Sequence, residues 1–162
     1  MQKYLTDPRV MKLINQVGTY FKDLPHLPKN MVDFLVKISP WLAGIGGVMS
    51  ILSSISMLSA LLNFSPFLRF TQINFGFGPS YLVMTLLYIA SQLAMGFLLL
   101  KAFKPLKERL ELGWIYLYWV MLVGLATSLI SLIFSFQSLI GMVIWLVIDL
   151  YLMFEVRAEY KK

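Results

Sequence analysis

The residue best suited to chemistry in this chain is Asp149, the one carboxylate in the middle of the apolar stretch "IWLVIDLYLMFEV", Ile144 to Val156. An aspartate at the centre of a membrane helix costs about 2.5–3.5 kcal/mol on insertion-derived scales, so its presence needs a reason. At 1.5 Å per helical residue, Asp149, Gln92 and Ser50 all fall about 12–14 Å from one end of their own apolar segments. The sequence therefore predicts an intramembrane polar layer of these three side chains.

This polar layer has two main interpretations. As a structural clamp it would fix the register of three helices, through interhelical hydrogen bonds of about 0.6 kcal/mol each. As a relay, Asp149 and Gln92 would carry protons or cations, because intramembrane carboxylates commonly mark such paths. The clamp is favoured because Asp149 has no base paired with it. A third interpretation is that Asp149 reaches out to the membrane interface.

Several kinds of site chemistry are missing from the sequence. The chain has no cysteine, which excludes disulfides, thiolate catalysis and cysteine-based metal sites. Its one histidine, His26, lies in the proline-flanked stretch "LPHLP". We find no nucleophile–base pair, no glycine-rich phosphate loop and no cluster of metal-ligating residues. We therefore expect no catalysis, no metal and no cofactor.

The composition indicates the solvent that must surround the elements carrying Asp149. Hydrophobic residues make up 59% of 162 positions and charged residues 14%, whereas a soluble domain carries about 25% charged residues. A soluble core of this size could not bury so much apolar surface. In lipid the backbone must satisfy its own hydrogen bonds, so the apolar segments must be helices. The predicted class is an all-α, polytopic membrane protein.

Four apolar segments are long enough to cross a bilayer, which takes about 20 residues. They predict a four-transmembrane-helix bundle within residues 40–157, followed by a tail at 158–162. The predicted spans are about 41–64, 80–103, 113–134 and 138–156.

The basic residues predict the orientation of the bundle. Of 14 lysines and arginines, 13 lie in the first forty residues, between the second and third spans, or in the tail; only Arg69 lies elsewhere. The positive-inside rule then places both termini in the cytoplasm of a multi-pass protein in the cell membrane. The basic charge is thus a signal of topology, and we expect no nucleic-acid partner.

Residues 1–39 predict an amphipathic, cytoplasmic helical segment. Apolar residues recur at helical spacing in "DPRVMKLINQVGTYFK" and again in "MVDFLVKI", with "LPHLP" between them. Ser39–Pro40 is expected to begin the first span. Such segments usually lie in the interface, attracted by anionic lipid, and the alternative is docking to a partner protein.

Two further sets of residues predict how the helices pack and where the membrane surface lies. Small residues at four-residue spacing would let helices approach closely, within one bundle or between copies. Tryptophan and tyrosine near the cytoplasmic ends would form an interfacial aromatic belt. The small residues are Gly46, Ser50, Ser54, Ala90, Ala94, Gly124 and Ser128, and the aromatic residues are Trp41, Trp114, Tyr116 and Trp119.

Three segments carry a family resemblance: "PKNMVDFLVKISPWL", "FKPLKERLELGWIYLYW" and "LIGMVIWLVIDLYLMFEVRAEYK". They resemble small four-span membrane proteins of bacteria. The resemblance implies a bacterial cytoplasmic membrane, and it carries across neither an activity nor functional residues.

Three functional hypotheses follow. The first is a non-enzymatic membrane subunit for packing or assembly, which binds a second copy or a larger membrane-protein partner. The second is a small transporter or a proton or ion pathway that uses Asp149 and Gln92. The third is a sensor of the lipid surface, in which residues 1–38 bind anionic lipid.

Overall fold

The computed structural model describes residues 8–21, 25–63, 79–134 and 139–160, and most of these residues are helical. The connections at 64–78 and 135–138 lie outside the described residues. The helices are α1 (Pro8–Thr19), α2 (Lys29–Asn63), α3 (Pro79–Lys107), α4 (Glu111–Phe134) and α5 (Leu139–Val156), followed by a 3₁₀ turn at Arg157–Tyr160.

Three of the described helices are long and apolar enough to cross a membrane. They are α2, residues Leu82–Lys107 of α3, and residues Glu111–Leu132 of α4. Helix α5, with 18 residues, is not among these three. The expectation of an all-helical chain with membrane-capable helices is confirmed.

Helix α2 continues through Pro40, where the first span is expected to begin. Its 35 residues span about 52 Å, well beyond a hydrocarbon core of about 30 Å. Proline removes the hydrogen bond to the carbonyl four residues earlier, here that of Val36. The hydroxyl of Ser39 donates to this same carbonyl at 3.0 Å. The freed carbonyl is therefore satisfied, and the residues before and after Pro40 belong to one continuous helix.

Helices α2 and α3 approach closely at two glycines, Gly47 and Gly96. A Cβ on Gly96 would lie 2.7 Å from the Cγ1 of Ile51, and one on Gly47 would lie 3.1 Å from the carbonyl oxygen of Gly96. A Cβ on the predicted Gly46 would meet only the Leu99 side chain, at an ordinary 3.5 Å. The close contact is thus one position away from the predicted series.

The best-packed part of the protein lies at one end of the helices. Here α1, the start of α2, the α3–α4 turn and the 3₁₀ turn meet in one buried cluster. By contrast, only 11–17% of the positions in the apolar windows of the three membrane-capable helices are buried. The buried cluster includes Ile14, Val32, Val36, Ala43, Ala102, Leu106, Trp114, Ile115, Tyr116, Tyr118 and Tyr160.

Candidate functional site

A groove separates α4 from α5 along the part of the chain that carries Asp149. It encloses about 600 Å³ and is open to the surroundings. Its α4 side includes the small residues Gly124 and Ser128, and its α5 side includes bulkier ones. The lining residues are Val120, Met121, Gly124, Leu125, Ser128, Leu132, Gly141, Met142, Trp145, Leu146 and Asp149.

Asp149 lines this groove as an exposed side chain. Among the described residues, its carboxylate has no hydrogen-bond or ion-pair partner. The nearest cation along α5 and its 3₁₀ turn is Arg157, which is occupied elsewhere, as described below. The groove therefore contains a carboxylate, that of Asp149, to which the described part of the chain offers neither a hydrogen-bond donor nor a cation.

The predicted polar layer is not formed among the described residues. The amide Nε2 of Gln92 donates to the hydroxyl of Tyr88 at 2.9 Å, one turn away on the same helix. The backbone carbonyl of Ser50 accepts a hydrogen bond from the hydroxyl of Ser54 at 2.8 Å, also on the same helix. Each of these two helices thus satisfies its own polar groups locally.

The register of the helices explains why Asp149 and Gln92 do not meet. Helices α3 and α4 are antiparallel, and a Cβ on Gly124 would lie 3.8 Å from the sulfur of Met95. Asp149 is the lining residue closest to the C-terminal end of α5, so it lies level with Val120 near the start of α4. Gln92 lies beyond Met95 in the opposite direction, roughly 10 Å further along the helix axes.

The predicted small residues occupy several different environments. Ser54 is buried between helices, Gly46 and Ser50 are half-buried, and Ala90 and Ala94 are exposed. Gly124 and Ser128 face the α4–α5 groove. The predicted small residues thus lie on exposed surface and in the groove as well as at the α2–α3 contact.

A shallower groove follows the exposed face of α2. It encloses about 430 Å³ and combines two serine hydroxyls with the ring of Tyr88. A serine hydroxyl can bond back to its own helix, so this polarity needs no ligand to explain it. The lining residues are Met49, Leu52, Ser53, Ser56, Met57, Ala60 and Tyr88.

The linker before α2 is attached to the end of α5 by Glu155. One carboxylate oxygen of Glu155 accepts from the backbone N–H of Leu27 at 2.9 Å, and the other lies 3.2 Å from Nδ1 of His26. The hydroxyl of Tyr151 donates to the carbonyl of Pro25. His26 thus lies beside a carboxylate.

Helix α1 packs on the same end of α5. Phe21, just after the helix, stacks on Phe154 with ring centroids 5.5 Å apart, and a Cβ on Gly18 would lie 2.9 Å from that phenylalanine ring. Nη2 of Arg157 donates to the side-chain oxygen of Asn15 at 2.7 Å. The guanidinium also lies 4.8 Å from the ring centroid of Trp114 and makes an ion pair with Glu111.

The predicted aromatic belt is only partly exposed. Trp114 is 0% exposed, and its indole N–H donates to the carbonyl of Met153 at 2.7 Å. Tyr116 is also buried, and Trp119 is half-buried, with an indole nitrogen that has no hydrogen-bond partner in the described chain. Trp41, 60% exposed, is the one with the exposure expected of an interfacial anchor. Trp114 instead holds α4 against the end of α5.

The described residues contain no group of three or more histidine, aspartate or glutamate side chains that could hold a metal ion. No protein-family model matches the chain, and no curated protein or solved structure matches it either. The geometry of the chain itself therefore carries the functional argument.

Proposed function

We propose that the chain is a non-enzymatic integral membrane subunit that crosses the membrane four times and assembles with a partner through the α4–α5 groove. The observation that carries this proposal is the groove itself. It has small residues on one side and an unsatisfied carboxylate at one end, and the described side chains leave it open. A surface of this kind is satisfied better by a packed partner than by lipid chains, because lipid offers Asp149 no hydrogen-bond donor.

Four crossings are supported by the contact between the two ends of the chain. Helix α1 precedes the first membrane-capable helix and packs against the C-terminal end of α5 through Gly18 and Phe154. Three crossings would leave these two ends on opposite sides of the membrane. The 18 residues of α5 span about 27 Å, close to a hydrocarbon core of about 30 Å.

A cytoplasmic location for this end is supported by the basic residues. Lys12 of α1, Lys29 and Lys37 of α2, and Lys104 and Lys107 of α3 are all exposed there. The positive-inside rule favours the cytoplasm for such an end, and anionic lipid headgroups would attract these side chains. The resemblance to small four-span bacterial proteins agrees with a bacterial cell membrane.

The assembly proposal is tested by the mass of the protein in a mild detergent and in lipid nanodiscs. We expect native mass spectrometry to show an oligomer or a stably bound partner. Filling the groove with Gly124→Leu should convert that species to a monomer, whereas Ala94→Leu, a change on an exposed face of α3, should leave it intact. A wild-type protein that is monomeric in both environments would contradict the proposal.

A proton or ion pathway is the second candidate, because an open groove with a carboxylate could admit a cation. Gln92, which would continue such a path, is instead bonded to Tyr88. The two candidates differ in vesicles that contain a pH dye. A pathway requires a proton flux that Asp149→Asn abolishes, whereas an assembly subunit gives the same background leak with either residue.

A further inference from the structure

We infer that the α4–α5 groove receives a transmembrane helix of another protein, and that this helix carries a lysine or arginine at the depth of Asp149. This inference rests on the proposed function and names the chemistry of the partner. It follows from the shape of the groove, from its charge and from the distribution of cations in this chain.

The shape of the groove fits a helix. Its lining on α4 runs from Val120 to Leu132, a length of about 18 Å, or more than three helical turns. Gly124 and Ser128 are one turn apart on that side, and a Cβ on Gly124 would meet only the sulfur of Met95, at 3.8 Å. Small residues one turn apart let a neighbouring backbone approach closely.

The charge of the groove selects the partner. Asp149 is the only charged residue among its described lining residues. Arg157, the closest cation in α5 and the turn after it, already contacts Asn15, Trp114 and Glu111. Charged side chains within membranes pair with one another, so a basic residue on the incoming helix is the complement of Asp149.

A second copy of this chain does not supply that complement. Residues 41–64, 80–100, 111–134 and 138–156 contain no lysine or arginine. Lys101, the basic residue of the spans nearest to the depth of Asp149, already has a partner in its own chain. A helix from another copy would therefore bring apolar surface to the groove without a free cation at the depth of Asp149. The basic residue must come from a different protein.

Two synthetic helices test this inference directly. Both are leucine-rich transmembrane peptides, and one has a lysine about 12 Å from its cytoplasmic end where the other has leucine. The full chain, in vesicles of neutral lipid, carries a fluorophore on Ala158→Cys, which is the only thiol in the protein because the natural chain has no cysteine. Energy transfer from labelled peptide to chain measures binding.

We expect the lysine peptide to bind about three- to tenfold more tightly than the leucine peptide, a ratio in keeping with measured interhelical bonds. Asp149→Asn should remove the preference, and Asp149→Glu should retain it. Gly124→Leu should weaken the binding of both peptides. Because Asp149 has no partner among the described residues, its variants should keep the wild-type helix content by circular dichroism.

Four results would overturn the inference. The first is equal binding of the two peptides to the wild-type chain. The second is energy transfer between copies of the chain that depends on Asp149, since the occupant would then be a second copy. The third is a small amphiphilic amine that binds in an Asp149-dependent manner while neither peptide binds. A groove-dependent oligomer that is indifferent to Asp149→Asn would leave the proposed function standing and this inference overturned.

Discussion

The hydroxyls of Ser39 and Tyr160 lie 2.6 Å apart and join two positions separated by 121 residues. Ser39 donates to the carbonyl of Val36, so its oxygen is free to accept the proton of Tyr160. One serine thereby compensates for the hydrogen bond lost at Pro40 and attaches the C-terminal 3₁₀ turn to the first long helix.

Ser39→Ala should destabilise the protein by about 1–3 kcal/mol, because it leaves a backbone carbonyl and a buried phenol without their partner. Thermal unfolding in detergent, followed by near-ultraviolet circular dichroism, measures the change. Ser56→Ala, an exposed serine on the same helix, is the control and should have almost no effect. Equal stability of the two variants would mean that the hydroxyl of Ser39 is not needed at the proline.

The Tyr160 phenol should ionise only at high pH. Burial raises the pKa of Tyr160, and the positive charge of Arg109 opposes that rise only in part. The folded protein thus holds the phenolic proton more tightly than a released tail does. The resulting stabilisation is complete below pH about 10, the ordinary tyrosine pKa, and is lost as the pH rises through the higher folded value.

The difference in absorbance at 295 nm between wild type and Tyr160→Phe isolates this titration from those of the other tyrosines. We expect a midpoint above pH 10. A midpoint at or below the value of free tyrosine would show that Tyr160 is exposed to solvent.

Gly96→Ala should destabilise the protein by about 1–3 kcal/mol, because the new methyl group would lie 2.7 Å from the Ile51 side chain in a close helix–helix contact. Gly46→Ala is the matched control. Its methyl group would meet Leu99 at 3.5 Å, so it should be neutral or stabilising by up to about 1 kcal/mol through the helix preference of alanine. Chemical denaturation in the same detergent compares the free energies of unfolding of the two variants. If Gly46→Ala proved the more destabilising, the close helix–helix contact would lie on the face that carries Gly46.

Trp114→Phe should cost about 1–3 kcal/mol, since it removes a buried hydrogen bond to Met153 and weakens the contact with Arg157. Trp41→Phe removes an exposed indole and should change stability by less than about 0.5 kcal/mol. Tryptophan fluorescence during unfolding gives both values. If Trp41→Phe proved the more damaging, Trp114 would not be a core residue.

The helical class was predictable because lipid leaves the backbone no other solution, and long apolar segments are visible in any sequence. The continuity of α2 through Pro40 was not predictable from the sequence, because it depends on the rotamer of Ser39. Trp114 and Tyr116 were assigned to the interface because interfacial aromatics and packed aromatics share one sequence pattern near a helix end. Only the position of α5, which brings the carbonyl of Met153 to Trp114, distinguishes packed from interfacial aromatic residues.

The polar layer failed for a geometric reason. Counting residues from the end of each apolar segment assumes that those ends are level, yet the helices extend past them by different amounts. The contact between Gly124 and Met95 sets the relative heights of α3 and α4, and it separates Gln92 from Asp149. The sequence did single out Asp149, because an unpaired carboxylate in an apolar helix stands out without any knowledge of its neighbours.

The side of the membrane on which each end lies is tested most directly by cysteine labelling, which needs no background correction because the chain has no cysteine. Single substitutions at Lys12, Asn63 and Ala158, all exposed, report on α1, the far end of α2 and the C-terminal turn. With a membrane-impermeant maleimide on intact cells, we predict labelling at Asn63→Cys alone, and labelling of the other two only after permeabilisation. Labelling of Lys12→Cys and Ala158→Cys from opposite sides would contradict four crossings.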